Sequence, residues 1–284
     1  MTRSYRVVGH ERSLKDFLLA EGRVSVTALK RIKYDGLYLN GMRVTVRATV
    51  REGDTVDVVY RDEAASDITP LNIPLDILYE DASMLAVCKP TSMPVHPSRG
   101  NSLPTLAAAV MHYYRDAPFV FRAVNRLDRE TSGIVLIAKT QEAAYRLSES
   151  MKRGEFVKEY LAVAQGHPNP PSGVIDCPIA RECEGAMRRV VRADGKAAVT
   201  EYRTLKTKEH CSLLLVRPLT GRTHQIRVHL SHIGHPLCDD FLYGTRREGA
   251  LYRLHAYRLT LPHPETGERM TLCAPCPFAD AFET

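Results

Sequence analysis

Three polar segments set against apolar runs hold the side chains best suited to chemistry in this 284-residue chain. The first, NRLDRETSGIVLIAKT, places Arg126, Asp128, Arg129, Glu130, Thr131, Ser132 and Gly133 in a turn ahead of the apolar run from Ile134 to Ala138. Catalytic groups concentrate on loops held by rigid strands. A carboxylate between two arginines is supplied with counter-charge, and once substrate excludes water it suits a nucleophile or base better than a proton donor. Taken alone, the same pattern also describes a surface turn with a local ion pair, a common and individually weak feature. In the second segment, EFVKEYLAVAQG, period-two alternation puts Lys158, Tyr160 and Ala162 on one face of a strand. Tyr160 can then enter the same cleft as Asp128, although tyrosine is also an ordinary half-buried strand residue.

The third segment is CSLLLVRPLTGRTHQIRVHLSHIGHP, with a Thr220-Gly221 turn and a helix starting near Thr223 that carries His224, Arg227 and His229. The donor-rich start of a helix suits phosphate or carboxylate binding. His224, His229 and His232 raise the question of zinc. Positions 224 and 229 lie roughly 140° apart around a helix of about 3.6 residues per turn, so no metal site is expected. Cys273-x-x-Cys276 is a lone pair with Pro275 inside it and reads as structural. Arg188, Arg189 and Arg192 in MRRVVRADGK form a basic run in a hairpin, which is either a solvated loop or a loop reaching nucleic-acid phosphates.

Strands and helices must position these groups. DILYED, MLAVCKP, GIVLIAKT, EYLAVAQG, AVTEYRTL, CSLLLVRPL and RLTLPHP read as strands, and TLAAAVMHYY, QEAAYRLSESMKRG and THQIRVHLSHIG as helices. Several strands follow one another directly, which predicts an α+β domain with a mixed, largely antiparallel sheet. Ahead of it, RSLKDFLLAEG and SVTALKRIKYDG read as short helices, LYLNGMRV as a hairpin around Asn40-Gly41, and EGDTVDVVY as a half-buried strand. These form a small α+β module over residues 1–62. RDEAASDITPLNIP supplies a linker at 63–70, and the large domain runs over 71–284.

Composition sets outer limits. Thirty-nine Lys and Arg against 33 Asp and Glu give a net charge of +6, which permits an anionic partner without naming one. No run approaches the roughly 18 apolar residues of a spanning helix, and the first residues lack a signal-type apolar core. A soluble, cytoplasmic protein without a membrane partner is the expectation. Seven scattered cysteines suit reduced thiols rather than a disulfide framework.

The three segments resemble, in order, the H-R-L-D-x-x-T-S-G, K-x-Y-x-A and R-P-x-T-G-R-T-H-Q-I-R-V-H blocks of the RluA/RluD-type pseudouridine synthases. DILYEDASMLAVCKPTSMPVHPS, DGKAAVTEYRTL, GHPLCDDFLYG and RLHAYRLTLPHP extend the resemblance over essentially all of residues 70 to 280. It implies Asp128 as nucleophile, Arg126 entering the RNA as the target base is extruded, and Tyr160 stacking on the uracil. It implies Arg227 as the partner of Asp128, Arg222 as an RNA contact and Ile226 as a wall of the uracil pocket. No cofactor is implied, and the expected product is pseudouridine in structured RNA, either large-subunit rRNA or tRNA, made by a monomer. Two departures stand out: Asn125 where the family usually has His, and Asp239 where it usually has Gly.

Residues 12 to 60 resemble the alpha-L, or S-four-type, RNA-binding module, which implies phosphate contacts by Lys30, Arg31, Lys33 and Arg43. Residues 1–62 hold twelve Lys and Arg against eight Asp and Glu, in keeping with that role. Two rival readings are a base-excising N-glycosidase, which would use a similar carboxylate, and a catalytically silent RNA-binding or ribosome-assembly factor.

Overall fold

Alternation of buried and exposed side chains explains most of the elements, and the computed structural model describes residues 2–20, 24, 29, 32, 36–59, 68–97, 104–245 and 247–282. The chain divides into two compact units, residues 1–66 and 67–284. The boundary falls ahead of Ile68 because Ile68 and Leu75 already pack on the core of the second unit.

In the first unit, β1 (Thr2–Arg6), β6 (Thr55–Val59), β3 (Leu37–Leu39) and β4 (Met42–Arg43) form one antiparallel sheet, and β2 (Arg12–Ser13) pairs with β5 (Thr49–Val50). Helix α1 (Leu14–Leu19) starts at Ser13, whose hydroxyl accepts the Asp16 N–H and caps the first turn. Leu14, Phe17 and Leu18 point from it into a core with Leu37, Val50, Val56 and Val58. The Asn40-Gly41 turn has both residues at positive φ, 49° and 80°, as a tight hairpin requires. Lys30, Arg31 and Lys33 lie outside the described residues, as does most of the second helix expected around them. Arg43 lies in β4 and is exposed.

The second unit is built on a nine-stranded sheet. Its strands are β7 (Ile77–Glu80), β8 (Met84–Lys89), β9 (Ser132–Ala138), β10 (Val157–Gln165), β11 (Ser172–Asp176), β14 (Val199–Lys208), β15 (Cys211–Pro218), β16 (Leu254–Pro262) and β17 (Arg269–Cys273). The order is β11-β14-β15-β10-β16-β9-β8-β7, with β17 beside the second half of β16. All pairs are antiparallel except β16 with β9, so the expected α+β fold with a mixed, largely antiparallel sheet is the fold observed. A small hairpin of β12 (Ile179–Arg181) and β13 (Arg189–Val191) carries the basic run. Helices α2 (Leu106–Tyr113), α3 (Gln141–Lys152) and α4 (Gln225–His232) pack against the sheet's cores.

The parallel join is where the two halves of the sheet meet, and it depends on Gly133. That residue has φ 107°, and a Cβ there would lie 2.3 Å from the Ala256 carbonyl oxygen. Only glycine permits this approach. Ala256 pairs in turn with Tyr160 on its other side, where β10 carries a bulge between Glu159 and Tyr160. The join therefore brings the end of the Asp128 loop and Tyr160 to neighbouring places, and the bulge re-aims the tyrosine.

Candidate active site

Asp128 sits four residues ahead of β9, in a loop anchored from several directions. Lys89 is fully buried, and its ammonium donates to the carbonyls of Pro90, Met93 and Arg129 at 2.7, 2.8 and 3.1 Å. Thr91 donates to the Glu130 carbonyl and Ser92 to the Glu130 carboxylate. Asn125 donates to the Ile134 carbonyl and accepts the Leu136 N–H, so its amide side chain pairs with β9 as a strand residue would. That is what the asparagine does at the position where the family usually has histidine. The Asp128 carboxylate itself keeps 32% exposure.

Helix α4 delivers Arg227 to this loop. Gln225 fixes the helix start: its side-chain carbonyl accepts from Thr220 and the Arg222 N–H, and its amide donates to the Val199 carbonyl and the Thr200 hydroxyl. Arg227 is buried, with Nη1 3.4 Å from Asp128 Oδ2. Its closer partner is Asp240, fully buried, which accepts from Nε at 2.7 Å and Nη2 at 2.8 Å. The Asp240 Oδ1 also accepts the backbone N–H groups of Leu242 and Tyr243. The guanidinium lies 4.4 Å from the Tyr252 ring centroid, 5.0 Å from Tyr243 and 5.4 Å from Phe241. Burial works against its charge, but the Asp240 hydrogen bonds and the charges of Asp240 and Asp128 outweigh that and hold its pKa above the usual arginine value.

Tyr160 packs partly buried against the cores on both sides of the join. Burial, and next the charge of Asp128, raise its phenol pKa, so the ring meets substrate as a neutral phenol. Among the described residues nothing takes its hydroxyl as a hydrogen-bond partner. Ile226 is buried in the core that Tyr160 borders. Arg126 is exposed and makes no hydrogen bond or ion pair among the described residues, whereas Arg222, also exposed, donates from Nε to the Ala197 carbonyl.

The three histidines raised as metal candidates diverge. His224 faces Asp128, His229 is buried between Thr200 and the Cys177 carbonyl, and His232 is exposed. Among the described residues no group of three or more His, Cys, Asp or Glu side chains is placed to hold a metal ion. Cys273 is exposed and Cys276 half-buried, and neither is in a disulfide. A groove lined in part by Glu159, Glu201, Arg203 and Arg217 opens elsewhere on the sheet. Glu159 there is paired with Arg217 and Arg258, and Glu201 with Arg217.

Sequence reasoning missed Asp240, Tyr252 and Tyr243 as parts of this site. Asp240 lies within GHPLCDDFLYG, but nothing local marks the second of two adjacent aspartates as the arginine's partner. Tyr252 has no signal at all in its neighbourhood.

A one-third-exposed carboxylate, a buried arginine and a neutral tyrosine thus meet at the sheet join. Comparison with known proteins makes the class specific. The profile of the family described as RNA pseudouridylate synthase matches residues 83–232. The chain is 38% identical over 260 residues to YjbO of Bacillus subtilis (strain 168), an uncharacterised RNA pseudouridine synthase, covering 89% of this chain and 92% of that protein. It is 40% identical over 242 residues to ribosomal large subunit pseudouridine synthase D of Escherichia coli (strain K12), covering 79% of this chain and 74% of that one. The structure of human RNA pseudouridylate synthase domain containing 1 is similar at 29% identity with a TM-score of 0.63, over 78% of this chain and 89% of that one.

The chain belongs to the RNA pseudouridylate synthase family, in its RluA/RluD-type branch. It is accordingly an RNA pseudouridine synthase, an isomerase. No described helix is long and apolar enough to cross a membrane.

Proposed function

We propose that this enzyme isomerises specific uridines of structured RNA through Asp128, with large-subunit ribosomal RNA as the first candidate substrate and transfer RNA as the second. The observation that carries the reading is Asp128 itself, open to a ligand and 3.4 Å from an arginine whose other side is fixed to Asp240. The preference for ribosomal RNA rests on relatives known as ribosomal large subunit pseudouridine synthases.

The reaction breaks the bond between N1 of uracil and C1′ and forms one between C5 and C1′. The hydrogen on C5 leaves as a proton and N1 gains one, so atoms and electrons balance without a redox or group-transfer cofactor. Asp128 attacks the sugar or assists its elimination, and Arg227 supplies its counter-charge. Tyr160, a neutral phenol, stacks on the freed base while it rotates, and Ile226 closes the pocket. Arg126 enters the RNA as the nucleotide leaves its stack, a step that costs a few kcal/mol in a duplex and favours loops or bulges. Arg222 contacts the RNA nearby. Residues 1–62 act as an alpha-L module in which Arg43, Lys30, Arg31 and Lys33 hold phosphates and position the RNA without reading sequence. The working form is a monomer.

The test maps pseudouridine across ribosomal and transfer RNA from a deletion strain complemented with wild type or Asp128→Ala. Wild type restores the lost sites and the variant restores none. Restoration of every site by Asp128→Ala overturns the assignment of the nucleophile.

A further inference from the structure

His224 has no part in the roles assigned so far, yet its placement is unusual. Its φ of 57° lies in the left-handed region, disfavoured for a residue with a side chain, and it stands at the N-cap of α4 without making a capping bond. Strain of this kind persists where the surroundings hold it. The side chain is 10% exposed, with Nε2 3.8 Å from Asp128 Oδ2.

The hydrogen bonds accommodate the tautomer with its hydrogen on Nε2. Tyr243 Oη accepts the backbone N–H of Arg189 at 2.9 Å and lies 2.8 Å from His224 Nδ1. With that N–H already taken, the phenol hydrogen is free for Nδ1, and burial, which raises the Tyr243 pKa, keeps the phenol protonated. Four charged groups bear on the imidazole: Asp128 and Asp240 favour its protonation, and Arg227 and Arg189 oppose it. Burial is the largest influence, and the net effect lowers its pKa. A neutral ring that accepts at Nδ1 carries its hydrogen on Nε2. That N–H faces the nucleophile at a distance too long for a direct hydrogen bond.

We infer that His224 is a substrate-contacting residue whose Nε2–H donates to the ribose 2′-oxygen of the target uridine while Asp128 acts on the same sugar. Asp128 must approach C1′ or C2′, and a donor 3.8 Å from its Oδ2 reaches the sugar's own oxygens before the far edge of the base. The β12–β13 hairpin contributes through the Arg189 N–H, which favours this tautomer from outside the pocket.

The inference rests on Asp128 as nucleophile, and the experiment separates the two. Pseudouridine formation is followed in single turnovers on an RNA fragment carrying the mapped site, with wild type, Asp128→Asn, His224→Ala, His224→Asn and His224→Gln. An active wild type and an inactive Asp128→Asn establish the nucleophile independently. His224→Ala is expected to lose about 10²-fold in the saturating single-turnover rate, with little change in the enzyme concentration giving half that rate, the usual scale for one donor at a reacting centre. His224→Gln extends an N–H to nearly the place of Nε2 and recovers most of the loss. His224→Asn tolerates the left-handed backbone but falls short, and stays impaired. Binding of the same RNA with 2′-deoxyuridine at the target is equal for wild type and His224→Ala. A His224→Ala rate within threefold of wild type, equal activity of the Asn and Gln variants, or weaker binding of the 2′-deoxy RNA by His224→Ala than by wild type overturns the inference.

Discussion

Arg227 faces two carboxylates, and they are built in opposite ways. Asp240 is fully buried, takes two guanidinium hydrogen bonds at 2.7 and 2.8 Å, and fills its remaining capacity with two backbone N–H groups. Asp128 is one-third exposed and stands 3.4 Å from the same guanidinium. A buried pair is stable only when its geometry and additional hydrogen bonds offset the loss of water, which Asp240 achieves. A carboxylate so satisfied has little left for chemistry. Asp128 keeps oxygen lone pairs and an open face, because its loop is held through backbone groups by Lys89, Thr91 and Thr131 rather than through the carboxylate. Support and reactivity are assigned to different aspartates around one cation.

The sharpest way to break this comparison is to remove each carboxylate in turn. Asp128→Asn is expected to lower kcat by about 10³-fold or more with the thermal midpoint nearly unchanged, since the side chain is partly exposed and only loosely paired. Asp240→Ala leaves a buried guanidinium with one distant partner, and the loss expected on breaking such a pair is about 3–5 kcal/mol. It should lower the unfolding midpoint and activity together. Chemical unfolding followed by circular dichroism, beside single-turnover rates, reads both. Equal stability losses in the two variants would show that the carboxylates are not divided in this way.

A smaller effect tests how the Asp128 loop is held. Burial pulls the Lys89 pKa down to about 8, against the raising influence of Glu130 and Asp128. Below that pH the folded chain has an ammonium whose three hydrogens match three carbonyls. Above it one donor is lost, and the Arg129 carbonyl, the longest contact, is the first to be released. Activity should fall as pH rises through about 8. Global stability changes in the other direction: between about 8 and the ordinary lysine value of 10.5 the unfolded chain binds the proton more tightly, so this group's contribution rises with pH. A pH–rate profile flat to pH 9.5 would sink the claim that the charged lysine holds the loop.

The difference between the two aspartates also marks what was legible in sequence. Strands such as Met84–Lys89 and Ser132–Ala138 are continuous apolar runs and could be read directly. Strands β1, β11 and β17 leave little mark in the sequence because they are short and largely exposed: Val174, in the middle of β11, is 62% exposed. Asp128, Tyr160 and Arg227 were picked out by their motifs, and the fold brings them together. Asp240 was not, because its role depends on a turn 13 residues from Arg227 that local pattern does not orient. The tautomer of His224 is further out of reach, since it depends on a phenol and a backbone N–H from two other segments.

The smallest effect concerns the residue beside Asp240. Asp239 has φ 64° in a position where the family usually has glycine, so this chain accepts left-handed backbone strain that glycine would relieve. Its carboxylate is buried and accepts from the Arg247 backbone N–H, Nε and Nη2, at 3.3, 2.9 and 2.8 Å. The Arg247 hydrogen bonds lower its pKa, against the effect of burial. The Arg247 side chain is 76% exposed, so the pair is open to screening by salt. Asp239→Gly therefore exchanges strain relief for a weak ion pair, and the net shift in unfolding midpoint should stay within about 3 °C. Its sign should depend on ionic strength. At low salt the wild type gains most from Arg247; at 1 M salt the glycine variant draws level or moves ahead. Thermal unfolding of both proteins at the two salt concentrations decides it, and a large destabilisation independent of salt would mean that Asp239, like Asp240, is a support the site cannot do without.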